Sequence, residues 1–214
     1  ADAESLIKAA DLAMYDAKGR GRNNYRLSSR GANVAVDELF ELEKSLRGAA
    51  ERGEMAVRYQ PQVDITSGRI VGMEALLRWQ HPERGLVMPD QFIPLAEETG
   101  IIIPLGEWVL RQACQQNRRW QQHGLAPFRI SVNVSGRQLL QQDFAEKVVA
   151  ALDECELDAQ WLKLELTETS VLQNAEEVLG LLRQLKSIGV DISIDDFGSG
   201  YAGLAYLKRY PIDT

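Results

Sequence analysis

The sequence contains few of the side chains that bind zinc or form disulfides. Its 214 residues include two cysteines, Cys114 and Cys155, and two histidines, His81 and His123. The histidines are isolated, and both thiols lie in segments with helical periodicity. This pattern is more typical of buried free thiols than of a disulfide or a metal site. We therefore expect a reducing compartment and place the protein in the cytoplasm.

Positive charge and long apolar runs are also scarce. Twenty-four Lys and Arg residues face 31 Asp and Glu residues, which gives a net charge of −7. This balance argues against polymeric nucleic acid as a partner, although a local basic cluster could still hold one phosphorylated ligand. No apolar run approaches the length of a membrane span, and the first residues do not resemble a signal peptide. We expect a soluble chain, with any membrane or sensor segment upstream of it.

The hydrophobic pattern predicts two helices followed by alternating strands and helices. The first helix covers residues 2–17, residues 28–33 look like a linker, and a second helix runs from about Val36 to Arg52. Further strands are predicted at 55–64, 69–79, 128–135, 161–168 and 190–196, and helices at 90–99, 104–122, 144–155, 178–188 and 202–208. The first two strands form a hairpin. The later strand–helix units predict a parallel sheet, either open and doubly wound or closed as a (β/α)8 barrel.

Four of the strands have one apolar and one polar face, because side chains alternate along a strand. The apolar faces are Val71, Met73 and Ala75; Ile130, Val132 and Val134; Leu162, Leu164 and Leu166; and Ile192 and Ile194. The polar faces are Gly72, Glu74, Leu76 and Arg78; Ser131, Asn133 and Ser135; Lys163, Glu165 and Thr167; and Asp191, Ser193 and Asp195. An antiparallel sheet with one face in water would show the same alternation, but the intervening helices count against it. We favour the barrel, with its polar faces inward at the C-terminal mouth.

Oxygen-bearing side chains of these strands would then meet at one centre. They are Glu74, Asn133, Glu165 and Asp195, with Asp196 next in the chain. Several carboxylates buried together cannot all stay ionised without cations. A set of oxygen ligands without histidine or thiol suits Mg²⁺ or Mn²⁺. Because adjacent aspartates can each reach a different ion, we interpret the cluster as a two-metal site that activates water for attack on a phosphate.

Arg78 lies on the same strand face as Glu74, nearer the mouth, where it could hold a phosphate oxygen. The residues alone therefore suggest a metal-dependent phosphohydrolase. The alternative, that individual acids are surface charges or helix caps, stays open for each of them.

Four ordered motifs extend from about Phe40 to Thr214. They are "YQPQVDITSGRIVGMEALLRWQHPERGLVMPDQFIPLAEETG", "SVNVS", "LELTE" and "DDFGSGYAGLAYLKRYPID". Together they resemble one family, the EAL domain. The resemblance implies a TIM-like (β/α)8 barrel whose first strand is antiparallel. It also implies Mg²⁺- or Mn²⁺-dependent hydrolysis of cyclic di-GMP to linear pGpG in bacterial signalling.

The resemblance also implies roles for individual residues. The metal ligands would be Glu74, Asn133, Glu165, Asp195 and Asp196, and the dinucleotide contacts would be Gln60, Leu76 and Arg78. Glu168 resembles a residue that steadies the loop 197–201, which is implicated in the metal site and in an EAL homodimer. For Glu168 the simpler interpretation is an acid at a helix N-terminus, which needs no function.

Residues 1–27 resemble the C-terminal end of a GGDEF (diguanylate cyclase) domain through the segment "ADLAMYDAKGRGRNNYRL". We therefore expect a GGDEF remnant at 1–27, a linker at 28–36 and an EAL domain at 37–214, with GGDEF and sensor domains upstream as partners. The family's barrel continues beyond Thr214 with a lysine that helps to orient the attacking water. We expect the EAL domain to be truncated here, and the 214 residues alone to be inactive. The rival interpretation is a catalytically silent EAL domain that acts as a cyclic di-GMP receptor or regulatory module.

Overall fold

A computed structural model describes residues 32–172, 175–195 and 209–214, and the chain divides into two compact units, residues 1–48 and 49–214. The described part of the first unit is residues 32–48, which contain helix α1 (Ala32–Leu46). It begins within the stretch expected to be a linker and ends earlier than expected, because residues 47–53 form turns. Gly48 and Gly53 have φ angles of 70° and 72°, a left-handed conformation that cannot continue a helix. The helix expected at residues 2–17 lies outside the described residues.

The second unit alternates strands with helices. The strands are β1 (Met55–Val63), β2 (Ile70–His81), β3 (Gly85–Val87), β4 (Arg129–Val134), β5 (Leu162–Thr167) and β6 (Asp191–Asp195). The helices are α2 (Pro89–Thr99), α3 (Ile102–Gln122), α4 (Gly136–Leu139), α5 (Phe144–Cys155), α6 (Glu168–Leu172) and α7 (Ala175–Ile188), with a 3₁₀ helix at Ala159–Trp161. The short elements β3, α4, α6 and the 3₁₀ helix were not predicted. The helix expected at residues 202–208 lies outside the described residues.

The described strands form one mixed sheet in the order β1-β2-β4-β5-β6, with β3 paired to β2. Strand β1 is antiparallel to β2, whereas β2, β4, β5 and β6 run parallel. Beyond β6, the Asp213 N–H donates to the Ile192 carbonyl at 2.8 Å and the Ile194 N–H to the Thr214 carbonyl at 3.0 Å. The α/β class and the antiparallel first strand are therefore as expected. Among the described residues the sheet is open.

The apolar faces of the parallel strands form the core. The residues buried there are Ala75, Leu77, Trp79, Ile130, Val132, Val134, Leu162, Leu164, Leu166 and Ile192. The helices pack on this face, in agreement with the expected alternation. Met73 and Ile194 are only partly buried, and Val71 is exposed because it precedes Gly72, the first β2 residue paired with β4.

The cysteines and the buried histidine have structural surroundings. Cys114 is buried and Cys155 partly exposed, and both are free thiols. The Nδ1 atom of buried His81 accepts hydrogen bonds from the N–H groups of Glu83 and Arg84, at 3.1 and 3.2 Å, and so fixes a turn.

Asp213 ties the end of the chain to the sheet. Its carboxylate accepts hydrogen bonds from Lys186 Nζ at 2.7 and 2.8 Å and from the Ile192 N–H at 2.8 Å. Burial alone would raise the pKa of Asp213, but these hydrogen bonds and the charge of Lys186 outweigh it, so the pKa is lowered.

Candidate functional site

The polar strand faces bring the expected metal ligands to the C-terminal ends of the parallel strands. The register pairs Glu74 with Ser131 and Asn133 with Glu165, on neighbouring strands. The Asn133 Nδ2 atom donates a hydrogen bond to Glu74 Oε1 at 2.9 Å. Glu74 and Asn133 are therefore in direct contact, with Glu165 on the next strand. Because the Asn133 amide nitrogen faces Glu74, its carbonyl oxygen is the atom that could bind a cation.

Glu165 is the most deeply buried of these side chains, with 8% of its surface exposed. Burial is the main cause that raises the pKa of Glu165, and the charge of Glu74 raises it further. The hydroxyl of Ser131 and the amide of Gln62 act in the opposite direction. The Ser131 hydroxyl is fully buried and lies beside Glu165 without forming a hydrogen bond of good geometry. A buried carboxylate next to a second carboxylate is the environment that a bound cation would stabilise.

The remaining expected ligands are Asp195 and, next in the sequence, Asp196. Asp195 ends β6, opposite Thr167, and is exposed. Asp196 lies outside the described residues. Within the described ranges, no three Asp, Glu, His or Cys side chains come close enough together to form a metal site. The fit to a divalent cation therefore rests on Glu74, Asn133 and Glu165, whose oxygen donors suit Mg²⁺ or Mn²⁺.

The expected dinucleotide contacts lie around the same centre. Gln60 is paired with Glu74 across β1 and β2 and is exposed. Leu76 lines a cavity beside Asn133 and Glu165. Arg78 is half-buried, and its Nη1 atom donates to the Leu77 carbonyl at 2.7 Å. All three positions thus lie on β1 or β2, close to the candidate metal ligands.

The cavity beside Leu76 has a volume of about 280 Å³ and is lined by the middle of β2 and by the C-terminal ends of β4 and β5. Its apolar side includes Ile93 on α2 and Leu105 on α3. The polar lining includes Glu97, whose pKa is raised by burial and lowered to a smaller extent by the charge of Arg137. Sequence reasoning missed Glu97, because strand alternation gives no information about which helical side chains reach the strand ends.

Gln138 and Gly106 fix one rim of this cavity. Gln138 and Ser135 form a reciprocal capping box at the start of α4, directly after β4. The Gln138 side chain is buried against Gly106 of α3, where a Cβ atom would lie only 2.1 Å from Gln138 Nε2. Gly106 therefore gives Gln138 the space to hold the loop that follows Asn133.

Glu168 is the first residue of α6, directly after β5, and only 1% of its surface is exposed. The Ser170 N–H lies 3.4 Å from Thr167 Oγ1, and the two hydroxyls are 2.6 Å apart, so Thr167 caps the helix. Glu168 is therefore not an ordinary surface acid at a helix N-terminus. The loop 197–201, which Glu168 is expected to steady, lies outside the described residues.

Comparison with known proteins gives a specific match. Residues 43–214 match the model of the family described as the EAL domain. The chain belongs to the EAL domain family. The TIM-like barrel class with an antiparallel first strand is thereby confirmed, and phosphodiesterases of this family generally depend on divalent metals.

Two curated relatives resemble nearly the whole chain. MucR of Pseudomonas aeruginosa, a bifunctional diguanylate cyclase/cyclic di-GMP phosphodiesterase, is 46% identical over 206 residues, which are 96% of this chain and 30% of MucR. PdeR of Escherichia coli, a cyclic di-GMP phosphodiesterase, is 38% identical over 213 residues, covering 100% of this chain and 32% of PdeR. The chain thus spans about a third of the length of these relatives.

A solved structure of the PaMucR phosphodiesterase in complex with c-di-GMP has a similar fold. It aligns with a TM-score of 0.78 and 46% identity, over 81% of this chain and 70% of that chain.

None of the helices in the described ranges has the length and apolarity needed to cross a bilayer.

Proposed function

We propose that the protein containing this EAL domain is a phosphodiesterase that hydrolyses cyclic di-GMP to linear pGpG. The observation that carries the proposal is the hydrogen-bonded pair Glu74–Asn133 beside buried Glu165, at the strand ends that line the cavity. The names of MucR and PdeR and the c-di-GMP complex of PaMucR support the same substrate.

The metal ligands in this proposal are Glu74, Asn133, Glu165, Asp195 and Asp196. They would hold two Mg²⁺ or Mn²⁺ ions, which supply a water of lowered pKa and stabilise negative charge on the phosphate. Asn133 orients Glu74 through the 2.9 Å hydrogen bond. The carbonyl oxygen of Asn133 and the carboxylate of Glu74 are therefore positioned before a metal binds.

Substrate binding in this proposal involves the other side of the site. The Arg78 guanidinium would hold a phosphate oxygen, Leu76 would provide apolar contact in the cavity, and Gln60 would contact the dinucleotide next to Glu74. Buried Glu168 would position the loop that follows Asp196. An EAL homodimer organised through that loop is part of the proposal.

The domain arrangement is a further part of the proposal. Residues 1–27 would be the end of a GGDEF domain, residues 28–36 a linker and residues 37–214 the EAL domain. The name of MucR, which combines diguanylate cyclase and phosphodiesterase, supports an upstream GGDEF domain as an intramolecular partner.

The test is pGpG formation by the full-length protein with Mn²⁺ or Mg²⁺. We expect hydrolysis by the unmutated protein, and a loss of more than about a hundredfold in Glu74→Ala, since even partners of metal ligands are worth 10- to 100-fold. Glu177→Ala, an exposed acid on α7, is the matched control and should keep full activity. Binding of cyclic di-GMP without turnover in the unmutated protein would instead establish a receptor. Full activity in Glu74→Ala would refute the metal assignment.

A further inference from the structure

Gln62 of strand β1 reaches the candidate metal ligand Glu165 across the polar face of the sheet. The Gln62 Nε2 atom donates to Glu165 Oε1 at 3.4 Å, although β1 and β5 are not paired with each other. This bond is long, and it is one of the influences that lower the pKa of the otherwise buried Glu165 carboxyl. Gln62 is therefore the one described β1 side chain with a hydrogen bond to a candidate ligand.

The local structure of β1 is arranged around this contact. Gln62 is paired with Gly72 of β2, and the register shifts between Gln62 and Val63, which marks a bulge or irregularity. Bulges turn a side chain away from its regular direction and are common beside active sites. The irregularity thus lies at the residue whose side chain leaves the β1–β2 pair to reach β5.

Gly72 provides the space for the Gln62 side chain. A Cβ atom at position 72 would lie 2.7 Å from Gln62 Oε1 and 3.3 Å from the Arg129 carbonyl oxygen. Gly72 does not have a positive φ, so its backbone conformation does not require glycine. Glycine inside a strand is unfavourable for stability and often marks a close approach. The close approach here is that of Gln62.

We propose that Gln62 is a positioning residue that orients the Glu165 carboxylate for metal binding, and that Gly72 permits it to do so. The inference rests on the proposed function, in which Glu165 is a metal ligand. A neutral amide suits this role, because it fixes one carboxylate oxygen without adding a positive charge that would compete with the cation. Partners of this kind orient metal ligands and typically contribute 10- to 100-fold to metal affinity.

The test is the dissociation constant of Mn²⁺, measured on the full-length protein by electron paramagnetic resonance of the free ion. We expect Gln62→Ala to weaken Mn²⁺ binding by about tenfold, the lower end of the range because the bond is long. Gln62→Met, which fills similar space without an N–H donor, should weaken it equally. Parent-like affinity in Gln62→Met would show that Gln62 only packs, and would overturn the proposal.

Gly72→Ala extends the test to the space that Gln62 occupies. In the parent background it should push Gln62 aside and weaken Mn²⁺ binding by a similar factor. In the Gln62→Ala background it should cost clearly less, because the side chain that it displaces is gone and only the 3.3 Å contact with the Arg129 carbonyl oxygen remains. Equal losses in both backgrounds would overturn the role of Gly72.

Matched controls separate this proposal from folding defects and from the proposed function. Gln115→Ala and Gly180→Ala change an exposed glutamine and a glycine with no neighbouring atoms within 4 Å, and both should bind Mn²⁺ like the parent. Thermal unfolding without metal checks that each variant is folded. If Glu165→Ala loses Mn²⁺ binding and the Gln62 variants do not, only the present inference fails. If Glu165→Ala binds Mn²⁺ normally, the ligand assignment fails and the inference with it.

Discussion

Gly106→Ala tests whether the helix that covers the cavity also holds the loop after β4. Gly106 lies near the start of α3, and a Cβ atom there would be 2.1 Å from Nε2 and 2.6 Å from Cδ of Gln138. Real Cβ atoms do not approach other atoms so closely, so Gln138 must move. The Gln138 side chain is buried, and its Oε1 atom accepts hydrogen bonds from the N–H and the hydroxyl of Ser135, both at 3.1 Å. Moving it breaks the capping box.

The free energy of unfolding should fall by about 1–3 kcal/mol. Loss of the cap is worth roughly 1 kcal/mol, and crowding of a well-packed side chain adds about 1–3 kcal/mol. The better helix propensity of alanine offsets about 1 kcal/mol of this loss. For a chain of this size, such a change lowers Tm by about 2–12 °C.

The assay is thermal unfolding followed by circular dichroism, with Gly180→Ala as the matched control. Gly180 lies in α7 with open space around it, so alanine there should raise stability by about 0.5–1 kcal/mol. Under the proposed function, Gly106→Ala should also weaken cyclic di-GMP binding, because Ser135 and Gln138 line the cavity.

A double mutant identifies the cause of the effect. In a Gln138→Ala background the clash disappears, and Gly106→Ala should become neutral or slightly stabilising. If Gly106→Ala is as stable as the parent, or is equally destabilising in both backgrounds, the contact with Gln138 does not hold the loop and the reasoning is wrong.

Three further predictions concern the core and the end of the sheet. Burial raises the pKa of Cys114 to about 12, so iodoacetamide at pH 8 should label Cys155 first, as mass spectrometry of the folded protein would show; equal labelling would contradict this. Asp213→Asn should lower stability by about 1 kcal/mol at pH 7. Because the pKa of Asp213 is lowered from 3.8, this difference should persist down to about pH 4 and vanish as pH falls through the folded value, which denaturant unfolding across pH would test. Trp79→Phe should cost about 2–3 kcal/mol in urea unfolding, because the fully buried side chain loses volume and its 3.1 Å hydrogen bond to the Glu54 carboxylate; an unchanged midpoint would refute it.

Strand alternation was sufficient to predict which way the candidate ligands point. Glu74, Asn133 and Glu165 share one face because alternation is a local property of extended backbone, independent of the rest of the fold. That Asn133 lies opposite Glu165, while Glu74 lies opposite Ser131 two residues before Asn133, depends on register. The register follows from burying the apolar face, since a slip by one residue would expose it.

The contributions of Gln62, Gly72 and Glu97 could not be predicted in this way. Gln62 reaches Glu165 through a register shift in β1, and Glu97 reaches the cavity through the packing of α2. Neither feature leaves a periodic signal. A glycine within a strand suggests a close approach, but only tertiary structure shows that the approaching atom belongs to Gln62.

On the polar face of the sheet, the acids at the two ends of the strands have different partners. At the N-terminal end of the strands, Asp191 forms ion pairs with Arg129 at 2.6 Å and with Lys186 at 3.7 Å. At the C-terminal end, no basic side chain of the described ranges forms an ion pair with Glu74 or Glu165.

The partners at the C-terminal end are neutral amides, from Asn133 to Glu74 and from Gln62 to Glu165, and the charge of Lys163 is the smallest influence on the pKa of Glu165. Amides fix carboxylate oxygens without neutralising them, so the negative charge there remains to be balanced. Charge that the protein leaves unbalanced in a half-buried cleft is stabilised by a cation from solution. This difference between the two ends explains why the metal is expected at the C-terminal end, although acids are present at both.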